Sequence, residues 1–388
     1  MEYVLGSVVL SDTSTFVNDV GSFFVAKIPG ALPYVIGFVI LLGVLIFVHE
    51  LGHFLVAKIL GIKVLKFSMG FPPAMIKRQW GETEYILSWI PLGGYVKLLG
   101  EDPDSEEEIP PEELPRAFTT RPLSHRMAVV LAGPMFNYLS AVLLICAGYV
   151  AGWPVLASQL GTILNGTPAM EAGFKAGDNV VAIDGQPIWR WDDMRSLIEK
   201  SPGKQLTVTV ERGPQKIDLT VTPSLSNDKD IFGQPAGRIG VSPSGKMVRL
   251  NAPNAVYEGL RFSGFLTKTV VETLVKLVTG SISPQSVGGP ILIAQASGES
   301  LKSGAFSFIF LMSFISINLA IINLLPVPIL DGGHLMFFVI EAIIRRPVTG
   351  KIREVAMQVG VLFLAFLFAF VFYNDISRLI TKGWTLAP

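Results

Sequence analysis

Along the chain, long unbroken apolar stretches alternate with shorter segments in which apolar and polar residues trade places every second position. Residues 34–60 are almost entirely Val, Ile, Leu, Phe, Gly and Ala, and about 20 such residues cross a hydrocarbon core as a helix. Comparable runs at 126–153, 305–334 and 355–374 make about four transmembrane helices the expectation. Residues 61–125 read differently. Short strand-like runs at 64–68, 75–80 and 84–89 surround a Gly81-Glu82-Thr83 turn and predict β-hairpin material against or within the membrane; an acidic, proline-interleaved linker with Glu106, Glu107, Glu108, Glu112 and Glu113 follows. Residues 158–245 predict one inserted α+β domain, with a helix over 191–200 and strands over 205–211 and 216–221 about Gly213-Pro214. In the connector 246–304, Lys268, Glu272 and Lys276 recur every four residues and predict an amphipathic helix. Residues 1–33 form a flank with no basic stretch or cleavage site, so the first span reads as an uncleaved signal anchor. The fold class is therefore a polytopic α-helical membrane protein with a membrane-associated β-hairpin region and one inserted α+β domain.

Composition narrows the class further. A chain of 388 residues that is 50% hydrophobic and 16% charged, with mean hydropathy +0.51, is too apolar for a soluble enzyme. Its formal net charge of zero argues against nucleic acid as a partner, and its single cysteine, Cys146, excludes a disulfide framework.

The chemistry lies inside the first apolar run. His49 and His53 are four residues apart, so on a helix both imidazoles leave one face and can share a tetrahedral metal. Glu50, one position round, is placed to take a proton from a water on that metal. A charged group at mid-bilayer costs roughly 2.5–3.5 kcal/mol, so such a cluster implies a function. The third run carries the amides Asn318 and Asn323, is interrupted by Pro326 and Pro328, and ends at Asp331. The first and third of four spans cross in the same direction, which brings Asp331 to the depth of the histidines. Two His and one carboxylate with a fourth position left to water is the pattern of a catalytic zinc. Asp331 is the expected third ligand; His334 is its rival, better suited to a supporting role beyond the span end. The alternative function is a membrane metal transporter or sensor using the same ligands, against which stand the single closed cluster and the placement of Glu50. Basic residues in the first loop (Lys58, Lys63, Lys77, Arg78, Lys97) and the last (Arg345, Arg346, Lys351, Arg353) put both loops in the cytoplasm. The inserted domain and both termini are then outside, and the metal site lies near the cytoplasmic side.

Two resemblances add to this. Ala176-Gly177-Asp178, Val180 and Ile183-Asp184-Gly185 resemble the core of bacterial PDZ domains, which implies a groove where an extended peptide adds as a strand. The HELGH motif at 49–53, Gly133-Pro134 with Asn137, and the run from Asn323 to His334 together resemble the site-2 protease family of intramembrane zinc metalloproteases, over residues 41–373. The resemblance implies a bacterial inner-membrane enzyme with zinc on His49, His53 and Asp331 and Glu50 as catalytic base. It also implies a substrate-positioning role for Asn323, Pro326 and Pro328, and for the Gly70-Phe71-Pro72-Pro73 element, which would pair with an unwound substrate strand. The implied substrates are single-span membrane proteins, such as shortened anti-sigma factors and remnant signal peptides, with the PDZ domain excluding bulky outer domains. One PDZ-like domain stands where some members carry two in tandem.

Overall fold

The structure, a computed structural model, describes residues 31–101, 109–153, 155–188, 190–229, 235–284, 287–346, 348 and 350–382. The flank up to residue 30 and the acidic stretch 102–108 lie outside the described residues. In chain order the long helices are α1 (Ala31–Ile59), α2 (Leu123–Val150), α3 (Trp191–Glu199), α4 (Ala252–Val278), α5 (Pro290–Ser303), α6 (Ala305–Asn323), α7 (Asp331–Ile344) and α8 (Gly350–Lys382). The chain divides into two compact units, Met1–Ile145 with Phe262–Pro388, and Cys146–Arg261.

In the first unit α1, α2, α6 and α8 are long and apolar enough to cross a bilayer. Small residues let helices meet closely there. A Cβ on Gly37 would stand 2.9 Å from the Ser297 carbonyl, and one on Gly298 would stand 2.1 Å from the Tyr34 ring, so α5 rests directly on α1. The N-terminus of α5 is capped from another helix: the N–H groups of Gly289, Ile291 and Leu292 donate to the Asp375 carboxylate of α8 at 3.0, 2.9 and 3.1 Å. The connector 246–304 thus holds two helices, α4 and α5.

Two long antiparallel strands follow α1: β1 (Val64–Trp80) and β2 (Thr83–Leu98). Both bend midway, so that residues 64–69 face residues 94–98 on one side and 84–87 on the other, while 74–80 pair with 83–88. The turn between them is pinned to the last turn of α1 by Glu82, which accepts from Lys58 Nζ at 2.6 Å and from Arg116 at 2.7 Å. The Lys58 hydrogen bond, more than Arg116, holds the Glu82 carboxyl below its ordinary range.

The run 305–334, expected as the third span with an interruption at Pro326 and Pro328, is two helices. α6 ends at Asn323 and α7 begins at Asp331. Pro326 and Pro328 cannot donate to a helical ladder, and the two glycines after Asp331 let the link fold back on α7. A Cβ on Gly332 would meet the Leu325 carbonyl oxygen at 2.2 Å, and one on Gly333 the Val327 oxygen at 2.3 Å. Any side chain at either position would push the link away and carry Asp331 with it.

The second unit opens with the short strands β3 (Val155–Leu156) and β4 (Leu160–Ile163) and is built on a four-stranded antiparallel sheet in the order β6 (Gln186–Pro187), β5 (Asn179–Ile183), β7 (Leu206–Arg212), β8 (Gln215–Val221). Leu206, Val208 and Val210 of β7 are buried and their neighbours are not, the period-two pattern of a sheet with one covered face. α3 covers that face with Trp191, Met194 and Ile198. β5 and β6 join through Asp184 and Gly185, both at positive φ (48° and 77°), the Asp-Gly turn whose twist suits a two-residue hairpin.

Candidate active site

Helix period puts His49 and His53 on one face of α1, and α2 supplies the surface opposite. Close approach needs two glycines: a Cβ on Gly52 would lie 2.5 Å from the Ala132 carbonyl oxygen, and one on Gly133 would lie 2.3 Å from His53 Nε2. Val129, Gly133 and Asn137 follow at intervals of four and form one stripe of α2 along the two imidazoles. His53 Nδ1 lies 2.8 Å from the Val129 carbonyl oxygen, an acceptor that keeps a proton on Nδ1 and leaves the Nε2 lone pair free. His49 Nδ1 lies 3.3 Å from the Asn137 side-chain amide.

Asp331 opens α7 and closes the group. His49 Nε2 is 3.2 Å from His53 Nε2 and 3.2 Å from Asp331 Oδ2, and His53 Nε2 is 3.6 Å from Asp331 Oδ1. Ligands about 2.0–2.1 Å from a tetrahedral zinc stand about 3.3 Å apart, so the three side chains fit the edges of such a site without rearrangement. Among the described residues, His49, His53 and Asp331 are the group whose ligand atoms all lie within 4.8 Å of one another. His334, one turn further along α7, is outside that group but lines the same cavity.

The cavity has a volume of about 640 Å³ and is lined by the three candidate ligands, Glu50, His334, Arg353 and residues 94–98 of β2. Glu50 reaches it past Gly94, whose Cβ would stand 2.8 Å from the Glu50 Cγ. The wall at 94–98 is a strand edge: one side pairs with 64–69, and no strand pairs with the other among the described residues. The substrate-positioning candidates lie elsewhere. Asn323 ends α6, Pro326 and Pro328 occupy the link before α7, and Gly70 and Phe71 sit at the bend of β1, where the Phe71 ring lies against Gly93. None of these five lines the cavity. Sequence reasoning did not single out the edge 94–98, Val129 or Arg353 as site residues; the signal available was Gly93-Gly94, unusual within a strand.

The model of Peptidase family M50 matches residues 37–367. A protein of Agrobacterium fabrum named as a zinc metalloprotease is 36% identical over 339 residues, covering 82% of this chain and 89% of its own length. The regulator of sigma-E protease RseP of Salmonella typhimurium is 30% identical, covering 82% of this chain and 93% of its own length. A Campylobacter jejuni protein, also named as a zinc metalloprotease, is 34% identical over 83% of this chain and 87% of its own length. Among solved structures, the PDZ domain of an SdrC-like protein of Listeria monocytogenes is similar to 23% of this chain and 85% of its own at 19% identity and a TM-score of 0.18.

Proposed function

We propose, from the premise that this chain belongs to Peptidase family M50 and is a zinc metalloendopeptidase of the site-2 protease type, that it hydrolyses peptide bonds within the transmembrane segments of single-span membrane proteins. Shortened anti-sigma factors and remnant signal peptides are the substrates that fit. The observation that carries the reading is a three-residue metal-binding group whose two histidines lie inside a helix long and apolar enough to cross a bilayer. Such a group is costly in lipid unless it works there.

His49, His53 and Asp331 would hold the zinc. When bound, zinc polarises a carbonyl and lowers the pKa of a water to about 7. Glu50 accepts the proton of the attacking water and delivers it to the leaving nitrogen, which is general base followed by general acid work by one carboxylate. The backbone of a helical substrate is closed to attack, because every N–H and C=O inside a membrane span is already paired. The unpaired edge at 94–98 offers an unwound segment new partners along the cavity wall, so extension of the substrate and its presentation to Glu50 are one event. Asn323, Pro326 and Pro328 in the non-helical link, and Gly70 and Phe71 at the β1 bend, are assigned to guiding the substrate toward that edge. The basic loops orient the chain in the bacterial inner membrane with the catalytic group near the cytoplasmic side and the PDZ-like unit and both termini outside, where that unit screens out substrates with bulky outer domains and could hold a peptide.

The test is cleavage of a tagged single-span protein lacking a folded outer domain, in membranes containing the intact chain or its variants. Glu50→Gln is expected to keep zinc and lose about 10²–10⁴-fold in rate. Asp331→Ala is expected to lose zinc itself. Equal cleavage by the intact chain and Glu50→Gln would remove the protease reading, and full zinc content in Asp331→Ala would return the third-ligand role to His334.

A further inference from the structure

Asn137 is completely buried, its Oδ1 has no hydrogen-bond partner among the described residues, and its Nδ2 lies 3.3 Å from His49 Nδ1. Its main-chain oxygen accepts from Ser140 Oγ at 2.9 Å and from Ser316 Oγ at 2.8 Å, so the residue is held firmly between α2 and α6 while its amide faces α1. A buried amide whose oxygen has lost its water and gained no partner is costly, which calls for an explanation.

The explanation lies in the tautomers of His49. With its proton on Nε2, His49 accepts at Nδ1 from Asn137 Nδ2, and the proton on Nε2 faces Asp331 Oδ2 at 3.2 Å. In that form Nε2 has no lone pair for a metal. A half-turn about the Asn137 Cβ–Cγ bond exchanges Oδ1 and Nδ2, so that Oδ1 accepts from Nδ1–H and the Nε2 lone pair points into the three-residue group. Either tautomer of His49 therefore finds a partner in the same amide. His53 has no such choice, because a backbone carbonyl accepts only.

We infer that Asn137 is the positioning residue that follows His49 between its two tautomers and, with Oδ1 accepting from Nδ1–H, holds the metal-binding one, so that α2 supports zinc at His49 as well as at His53. The inference rests on the reading of His49 as a zinc ligand. Outer partners of ligating histidines change metal affinity about 10–100-fold.

The experiment measures zinc dissociation constants by chelator competition on the detergent-solubilised full chain, for wild type, His49→Ala, Asn137→Leu and Asn137→Asp. Leu matches the shape of Asn but cannot accept a hydrogen bond; Asp keeps an acceptor in either orientation. A positioning role gives a loss of about 10–100-fold in Asn137→Leu and wild-type or tighter binding in Asn137→Asp. A packing role gives the reverse order, since Leu fills the space and a buried carboxylate does not suit it. Binding by Asn137→Leu within about threefold of wild type, or a loss in Asn137→Asp as large as in Asn137→Leu, overturns the inference. If Asn137→Leu does not fold, Asn137→Asp decides alone: affinity at or above wild type supports the role, and a loss of about tenfold or more overturns it. Retention of zinc by His49→Ala would instead overturn the ligand reading beneath it.

Discussion

Both units bury an apolar core, and they differ in what accompanies it and in what is left exposed. In Cys146–Arg261 the fully buried side chains are mostly apolar, Leu160, Val180, Ile183, Met194, Val208 and Val210 among them, with Asp178 and Glu258 as charged exceptions. In the other unit Leu41, Leu45 and Ile317 are buried together with Asn137, Gln295, Ser313, Ser316 and Asp375, while Leu362 and Phe366 of α8 are 70% and 71% exposed. The reason is the solvent. Between helices in lipid there is no hydrophobic gain from contact, so small residues and hydrogen bonds hold them together. In the soluble unit, position is encoded by where the apolar residues fall. In the membrane unit apolar residues mark the spans and fill two buried clusters, and glycine, serine and amides set where helices meet closely.

The largest effect expected from that difference is a single methyl-bearing side chain at Gly133. A Cβ there would stand 2.3 Å from His53 Nε2 and 2.8 Å from His49 Cε1, with helix backbone behind it. Gly133→Val is expected to lower zinc affinity beyond the ~100-fold reached by outer-partner changes, read as zinc per chain after dialysis against a chelator. Next in size is Leu160→Ala in the soluble core. It should cost that unit about 2–5 kcal/mol, measured by hydrogen exchange in the intact chain, and leave zinc content unchanged. Retained zinc in Gly133→Val, or lost zinc in Leu160→Ala, would break the division of labour between the units.

The same contrast explains what the sequence disclosed. Continuous apolar runs announced α1, α2, α6 and α8, because length and hydropathy suffice for a span. The four-residue spacing of His49 and His53 announced a shared face, because helix period is local. Alternation announced β7 and β8. Contacts between distant residues carry no such pattern. That Asp375 caps α5, more than 80 residues away, has no local signature. Neither does the meeting of the 94–98 edge with Glu50, nor the contact of Asn137 with His49. The break between α6 and α7 lies between these cases: the prolines marked where the helix ends, but the fold-back that aims Asp331 depends on what Gly332 and Gly333 touch.

The smallest expected effect concerns a charge pair in the soluble unit, where burial of a polar group is the exception. Asp178 accepts from Arg212 Nε at 2.7 Å and from its terminal nitrogen at 2.8 Å, and from the Lys175 backbone N–H at 2.8 Å. Burial alone raises the Asp178 carboxyl, but these donors outweigh it and hold the group below its ordinary range. A carboxyl lowered by folding stabilises the native state fully above its unfolded value of about 3.9, and that contribution disappears as pH falls through the lower folded value. Amide protection in β7 of the intact chain is therefore expected to be level from pH 7 to about 4 with respect to this pair and to decline below it. Arg212→Met removes the main donor, so burial governs Asp178 and protonation no longer costs stability; the acid decline should flatten. An unchanged acid decline in that variant would mean that the pair does not act on folding, and that the soluble unit depends on its apolar pattern alone.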